Sequence, residues 1–488
     1  MKDMKIKYIS LAVFMALISQ LFMACEKDYL EINTDPNFPT EVPGYVIFPA
    51  AVMSTTGTLS TQIGITTGMW AQHYTQSNVA NQFKEIDQFN LTFSDYDRPW
   101  REFYSGALND YLAIKNFAEA DEDWTMYLMA TVMEAYTYQY MVDLWDNVPY
   151  TEAGVEFHPV FDKGQDVYNG LLASLDLALS KEVSDFPGNL AKYDMVFGGD
   201  ISLWKQFANT LKLKLYMRMY GVNESVSKPA IEALLLADNL LTTDAGIVSF
   251  EDADNQRNPL MEYNFHGLNT GNNLVASKTL LRYLQINGDP RVEEFYDVNN
   301  AGLYAGLAQG DYTNTEILNG ELSLIREVAT KPVFFISEAE CYFLQAEAIL
   351  RTGGNPKVMY DLAVTTALMQ YNESAESFLE SGGAYEFPSG GSFDEQLEAI
   401  IQQKWVALFQ GTNSTEAYIE HVRTGYPTES DLPYGDENGY IYGQFTYPVN
   451  GVSSGVFPKR LPSVKDENQN NQNADDLVDA FQPVWWNK

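Results

Sequence analysis

Between Ile336 and Met369 the apolar residues recur at spacings of three and four, and a double glycine interrupts them once. Ile336, Ala339, Phe343, Ala346 and Leu350 mark one face of a helix. Gly353-Gly354 stops it as a C-terminal glycine does, since glycine reaches the left-handed conformation without a Cβ penalty. Asn355-Pro356 then opens a second helix through Tyr360, Ala363, Ala367 and Met369, with proline where its missing N–H costs nothing. The same period runs through Leu128, Val132, Ala135, Tyr136 and Val142, and through Trp204, Phe207, Ala208, Leu211, Leu215 and Met219. Leu397, Ile400, Ile401, Trp405 and Leu408 make another helix, ended by Gly411. A chain patterned in this way is expected to be mainly α.

Residues 337–371 form a unit of helix, glycine turn and helix that is similar to a tetratricopeptide repeat, although the Trp and Leu-Gly of that pattern are missing. Residues 126–179 read as a comparable pair split by an insertion at 146–164, and 203–241 as a third. Stacked pairs of this kind build a curved surface that commonly holds another protein; an ordinary helical core satisfies the periodicity equally. Between the pairs lie tracts rich in Gly, Asn, Thr and Tyr, at 55–97, 242–273, 299–330, 373–391 and 426–473. Loops of such length are usually functional or disordered, and their aromatic content argues for order. Residues 465–476 are polar and Asn-rich and read as a solvated arm.

Lys2, Lys5 and Lys7 precede a mostly apolar run from Ile9 to Ala24, which ends at Phe22-Met23-Ala24-Cys25. The run falls short of the ~20 residues a membrane span needs and has the layout of an export signal. Cys25 after a small residue resembles a lipobox, loosened by Phe22 at a position more often aliphatic. The expectation is a signal at 1–24, a lipid on Cys25, a polar tether over 25–43 and one folded domain from 44 to 488. The plainer alternative is a signal peptide with an incidental cysteine. Beyond Cys25 the chain has a single thiol, Cys341, so an exported fold must rest on its core and not on disulfides. Cys341 lies among Ala339, Tyr342 and Phe343 and reads as a small buried hydrophobe.

Thirty basic residues stand against 66 acidic ones, a net charge of −36; loss of the signal, with three Lys and one Asp, takes it to about −38. Such a surface repels phosphate backbones and anionic lipid, so neither nucleic acid nor an electrostatic membrane grip is expected. The partner should be neutral, or a protein.

Catalytic and metal motifs are thin, and neither a metal nor a cofactor is expected. His73, His158, His266 and His421 are scattered and make no zinc spacing. Gly451-Val452-Ser453-Ser454-Gly455 spells a nucleophile elbow, but Pro458 follows and no His lies beyond His421. Glu251-Asp252-Ala253-Asp254 invites a calcium loop, yet Arg257 stands where such a loop needs Gly. What remains is aromatic and amide chemistry: Trp70, Gln72, Tyr74, Gln76 and Asn78 in one segment, Trp100, Arg101 and Tyr104 in the next, and Tyr304 and Tyr312 in a Gly-rich tract. Sugar rings offer apolar faces edged with hydroxyls, which suits flat aromatics beside planar amides. Trp70, Tyr74, Trp100, Tyr304 and Tyr312 are the expected ligand contacts, with core packing the competing role for the two tryptophans. A surface-anchored glycan hydrolase would instead need two carboxylates across a cleft, one with a raised pKa. A purely structural scaffold would bind nothing.

Several ordered segments resemble the SusD/RagB family of outer-membrane nutrient-binding lipoproteins. Cys25 is followed by Asp28-Tyr29-Leu30-Glu31-Ile32-Asn33 and Asp35-Pro36-Asn37; Leu144 to Ala153 looks like the family's Gly-Asp-Val-Pro-Tyr segment, followed by Phe161-Asp162 and Val167-Tyr168. Trp204 through Arg218 resembles its Asn-x-Leu-x-Leu-Arg helix, and Asp289-Pro290-Arg291 its Asp-Pro-Arg turn. Glu338, Glu340, Ala346-Glu347-Ala348 and Gly353 match its most recognisable helix; Arg423-Thr424-Gly425-Tyr426-Pro427 and Pro458-Lys459-Arg460-Leu461 match its C-terminal turns. Ser463-Val464 stands where the family tends to have Tyr-Pro. The resemblance implies a SusD-like helical body whose tetratricopeptide-like pairs hold a TonB-dependent, SusC-like barrel. The lipoprotein would act as a lid on that barrel, with a glycan, or in some relatives a peptide, as cargo.

Overall fold

A computed structural model describes residues 42–183, 190–268 and 271–487. The export signal, Cys25 and the tether up to residue 41 lie outside the described residues. Twelve α-helices of seven or more residues carry the fold among the described residues. In chain order they are α1 (Gly44–Thr58), α2 (Gly64–Trp70), α3 (Asn109–Ala120) and α4 (Trp124–Trp145). α5 (Gly164–Ser180), α6 (Ile201–Met219), α7 (Glu224–Ala237) and α8 (Lys278–Asn287) follow. α9 (Glu338–Arg351), α10 (Lys357–Met369), α11 (Phe393–Ala407) and α12 (Thr412–Thr424) complete the set.

The helices begin where short polar side chains can accept from the first free N–H groups. Asp123 does this for α4 and Asp200 for α6. Ser337 caps α9, and Ser392 with Glu395 forms a reciprocal capping box on α11. Gly353, at φ +88°, closes the turn after α9. α4 packs on α5, α6 on α7 and α9 on α10, which gives three tetratricopeptide-like pairs; α6 joins α4 to α9. α4 is buried on every side from Thr125 to Trp145, as befits a helix apolar around its whole circumference. Strands are few and short. β1 (Tyr74–Gln76) pairs antiparallel with β3 (Leu274–Ala276), and β2 (Ala245–Ile247) with β4 (Val333–Ile336). β5 (Glu429–Ser430) lies parallel to β6 (Phe445–Thr446).

The pairs are joined through buried charge. Lys214 and Arg218 of α6 reach Glu340 (2.9 Å) on α9, Glu416 (3.0 and 2.9 Å) and Glu420 (2.5 Å) on α12, and Asp143 (3.1 Å) on α4. Lys404 meets Glu420 at 3.1 Å, and Arg423 bridges Glu347 at 2.5 Å and Glu420 at 2.6 Å. Ions in so dry a place persist only when each has a partner. The cations around Glu420 hold its carboxyl well below the usual range despite its burial.

Three expectations need correction. Part of the tract 55–97 is helical, because α1 runs on through a π-turn at Leu59–Ile63 into α2; its threonines bond back to carbonyls four residues earlier, as Thr66 does to Gln62. α12 follows directly on Gly411, where no period had marked a helix. Residues 465–476 are not a free arm: Lys465–Asn470 is a short helix, and the buried Asn471 donates to the Pro159 carbonyl at 2.8 Å.

Candidate functional site

The five aromatic candidates separate into two layers. Trp70 is 2% exposed, packs on Tyr418 and Phe89, and donates from Nε1 to the Ile86 carbonyl. Tyr74 is fully buried, with its hydroxyl donating to the Gly64 carbonyl at 2.7 Å. Neither offers a free face in this conformation. Trp100 is 4% exposed, lies parallel to Phe161 at 6.0 Å and meets Trp145 edge-on; its Nε1 has no hydrogen-bond partner. It lines a narrow crevice with Asp146, Asn147 and Arg460, roofed by residues 474–478. Tyr304 and Tyr312 are only partly buried. Tyr312 donates to Gln88 Oε1 at 2.8 Å, and Tyr304 sits near α8, whose Gln285 donates to its carbonyl.

The amides that composition marked as sugar partners have another task. Gln72, at φ +53°, donates to the Thr446 carbonyl (2.7 Å) and accepts from Thr279 Oγ1 (2.6 Å) and the Thr446 N–H (3.1 Å). Gln76 accepts from the Phe83 N–H at 2.7 Å and donates to the Ser77 and Asn273 carbonyls. Asn78 donates to the carbonyls of Asn314 (2.8 Å) and Ile317 (2.7 Å). These side chains are staples that hold loop to loop, because a buried amide must spend its donors and acceptors inside.

Asp87, which the sequence reading passed over, is the hub. Its fully buried carboxylate accepts from Thr75 Oγ1 (2.6 Å), the Gln76 N–H (3.0 Å), Gln309 Nε2 (2.5 Å) and the Gly310 N–H (3.2 Å). Burial pushes its carboxyl up to about 6, and the four donors pull the other way. The only sequence signal was an acid set between Ile86 and Phe89, which is weak. Beyond the hub, Val452 N–H donates to the Gln88 carbonyl (3.0 Å), and Asn450 reaches Gly310 and Thr313. Three tracts, 74–93, 303–325 and 447–456, are thereby laced into one platform. Tyr312 is on it, and Val79, Leu318, Val449 and Val452 stand exposed from the same tracts.

Beneath the platform His73 is fully buried between Ser414 (Nδ1, 3.0 Å) and the Trp405 carbonyl (Nε2, 3.0 Å). A carbonyl can only accept, so Nε2 carries the proton and Nδ1 accepts from the serine. Burial lowers its pKa to about 3. Glu327 also has a raised carboxyl, up to about 7, through burial; Asn264 donates to its Oε1 at 2.6 Å. Asp87 and Glu327 are both interior groups engaged by amides. The elbow-like Ser453 lies in a loop and donates to the Val456 carbonyl at 2.6 Å. In the calcium-like segment Arg257 pairs with Asp252 (2.6 Å), Asp254 (3.0 Å) and Glu262 (3.2 Å), so a guanidinium neutralises those acids. Cys341 is buried beside Thr210, and burial pushes its thiol up to about 12. No helix among the described residues is long and apolar enough to cross a membrane.

Residues 39–448 match the SusD-like family described as "Starch-binding associating with outer membrane". Among solved structures the chain is similar to a SusD homologue from Bacteroides uniformis, at 21% identity over 91% of this chain and 98% of that one, with a TM-score of 0.73. A chitin-binding protein aligns at 25% identity over 91% and 99%, also with a TM-score of 0.73. A chitin-binding SusD homologue from Flavobacterium johnsoniae aligns at 20% identity over 91% and 96%, with a TM-score of 0.69. No curated protein matches in sequence.

Proposed function

The chain belongs to the SusD-like family, and from that premise we propose that it is a surface lipoprotein that binds a neutral glycan and delivers it to a SusC-like, TonB-dependent transporter without chemical change. In this reading residues 1–24 are removed, Cys25 carries the lipid, 25–43 are the tether and the body from Gly44 onward binds cargo. The observation that carries it is the platform. Three loop tracts are pinned by Asp87, Gln309 and Asn450, so that Tyr312 and a set of exposed apolar side chains stand on a fixed base. A preordered base spares the ordering entropy that loops otherwise lose on binding. Tyr304 lies in the same tract as Tyr312, and the buried Trp70 packs behind the platform on Phe89; Trp100 lines the separate crevice. The chitin-binding relatives and the family description favour a polysaccharide over a peptide.

Calorimetry with starch- and chitin-derived oligosaccharides tests the binding. Micromolar to millimolar affinity is expected, with each of Tyr304→Ala and Tyr312→Ala weakening it by about fivefold, the ~1 kcal/mol of one aromatic contact. Unchanged affinity in both variants would remove the platform as the site. The same glycans incubated with protein should return intact; reducing ends released in step with protein concentration would favour a hydrolase. For the transporter, purification through a C-terminal tag in mild detergent should bring down one large outer-membrane protein. The outward faces of the pairs α4–α5 and α9–α10, supplied by α5 and α10 since α4 is buried, are the proposed seat. Recovery of the lipoprotein alone with cargo present would count against it.

A further inference from the structure

A second recess, of about 610 Å³, opens between α3, α4 and the loop after Tyr150, and shares no residue with the platform. Tyr104, Tyr138 and Tyr150 wall it, with Tyr138 edge-on to both others at 6.5 and 5.0 Å. Its volume is that of a small-ligand site.

The polar groups at its lining are few and fixed. Lys115 and Glu134 form an ion pair at 2.5 Å with side chains 17% and 10% exposed. That contact uses one carboxylate oxygen, and the Lys115 ammonium also lies 5.9 Å from the Tyr127 ring centroid, so both side chains are held in place at the edge of the recess. Tyr138 is 4% exposed and its hydroxyl makes no hydrogen bond, although it lies among the lining residues. A few polar groups thus converge on one recess walled by aromatic rings, the lining that small-ligand sites present. Burial keeps the Tyr138 hydroxyl protonated, a donor as well as an acceptor. Tyr104 is not among the free groups, because it donates to the Pro149 carbonyl at 2.8 Å.

The chemistry of the occupant follows from the sum. Lys115 and Glu134 cancel, so the recess carries no net charge to select an ion. It offers donors and acceptors side by side, between tyrosine rings set edge to face. A hydroxyl both gives and takes a hydrogen bond, and vicinal hydroxyls on an apolar ring fit this arrangement. We propose that this recess is a second binding site, separate from the platform, for a single neutral pyranose ring or the terminal ring of a glycan chain. The proposal rests on the glycan-binding reading for its ligand class.

The test uses the full mature chain and four probes: the methyl pyranosides of glucose, galactose, mannose and N-acetylglucosamine, each up to about 20 mM, by ligand-observed NMR and calorimetry. At least one should bind. Asn109→Trp, at an exposed position on the recess wall, should abolish that binding, and Glu134→Gln should weaken it about tenfold. Tyr312→Ala should leave it unchanged. Binding that survives Asn109→Trp overturns the recess. If it is then lost in Tyr312→Ala, the platform keeps its role. Absence of binding by all four pyranosides also overturns the recess, and leaves the platform to be judged on oligosaccharides. Asn109→Trp alters an exposed side chain, so a folded variant is available even where Glu134→Gln loosens the α3–α4 contact.

Discussion

Acid should loosen the base of the platform through one residue, His73. The imidazole is fully buried and neutral, with both nitrogens engaged, and its pKa falls from 6.5 to about 3 because burial penalises the charged form. In the unfolded chain the same ring takes its proton near pH 6.5. Between those values the unfolded state binds more protons, so the stability contributed by His73 is complete above pH 6.5 and is lost as pH falls toward 3. At pH 5 the loss is roughly 2 kcal/mol, and near pH 3 roughly 4–5 kcal/mol, at 1.36 kcal/mol for each pKa unit. The matched variant is His73→Gln, whose amide can donate to the Trp405 carbonyl and accept from Ser414 without titrating. Urea unfolding of both proteins at pH 7.5 and pH 5.0 isolates the effect, since every other titrating group cancels in the difference. The stability advantage of wild type over variant should shrink by roughly 2 kcal/mol on acidification. Parallel pH profiles would refute a neutral buried His73. Tryptophan fluorescence suits the measurement, because Trp70 and Trp405 pack around this segment.

Three further outcomes are expected. Asp87→Ala strands the Gln76 N–H and the Thr75 hydroxyl and should cost about 2–4 kcal/mol. Hydrogen exchange should quicken at residues 74–77 and 309–310 before it does in α4, and uniform exchange across both would contradict the hub. Arg218→Met leaves Asp143 without its counter-ion and takes one cation each from Glu416 and Glu420, and should lower unfolding free energy by about 3–5 kcal/mol in urea melts; a change under about 1 kcal/mol would show that the lattice tolerates the loss. Cys25→Ser should move the protein from the detergent phase to the aqueous phase in a partition assay, and continued fractionation with lipid would remove the tether.

The helix pairs were legible because three-and-four spacing, a glycine stop and a proline start are local signals, as at Leu350, Gly353 and Pro356. α12 was not, because Thr412, Ser414, Thr415, Glu416 and Glu420 are polar and buried at once; hydrophobic periodicity cannot mark a helix that buries charge. The motifs that carried the family resemblance show the same physics. Arg218, Asp289, Arg291, Glu340, Glu347 and Arg423 are all held in buried or nearly buried ion pairs. They identify the fold, and none faces the platform. The amides of the early segment misled for a related reason. Gln72 and Gln76 have the chemistry that grips a hydroxyl, but whether that chemistry meets a ligand or a neighbouring carbonyl is decided by residues far along the chain, Asn273 at 197 and Thr446 at 374 positions away.

The charge distribution connects this interior to the proposed cargo. Lys214, Arg218, Arg351, Lys404 and Arg423 face Asp143, Glu340, Glu347, Glu416 and Glu420 in the lattice, five cations to five anions, so the lattice adds nothing to the net −36. Most of the excess acidity therefore stands nearer the surface, where solvent and salt screen it. Such a surface repels anions and other copies of itself without selecting a ligand. Selection then falls to uncharged contacts, the tyrosines and apolar side chains of the platform and the compensated Lys115–Glu134 pair. Binding built on those contacts should vary little with ionic strength. A steep salt dependence of glycan affinity would instead place the cargo among charged polymers, and would move the search for the site away from Tyr312.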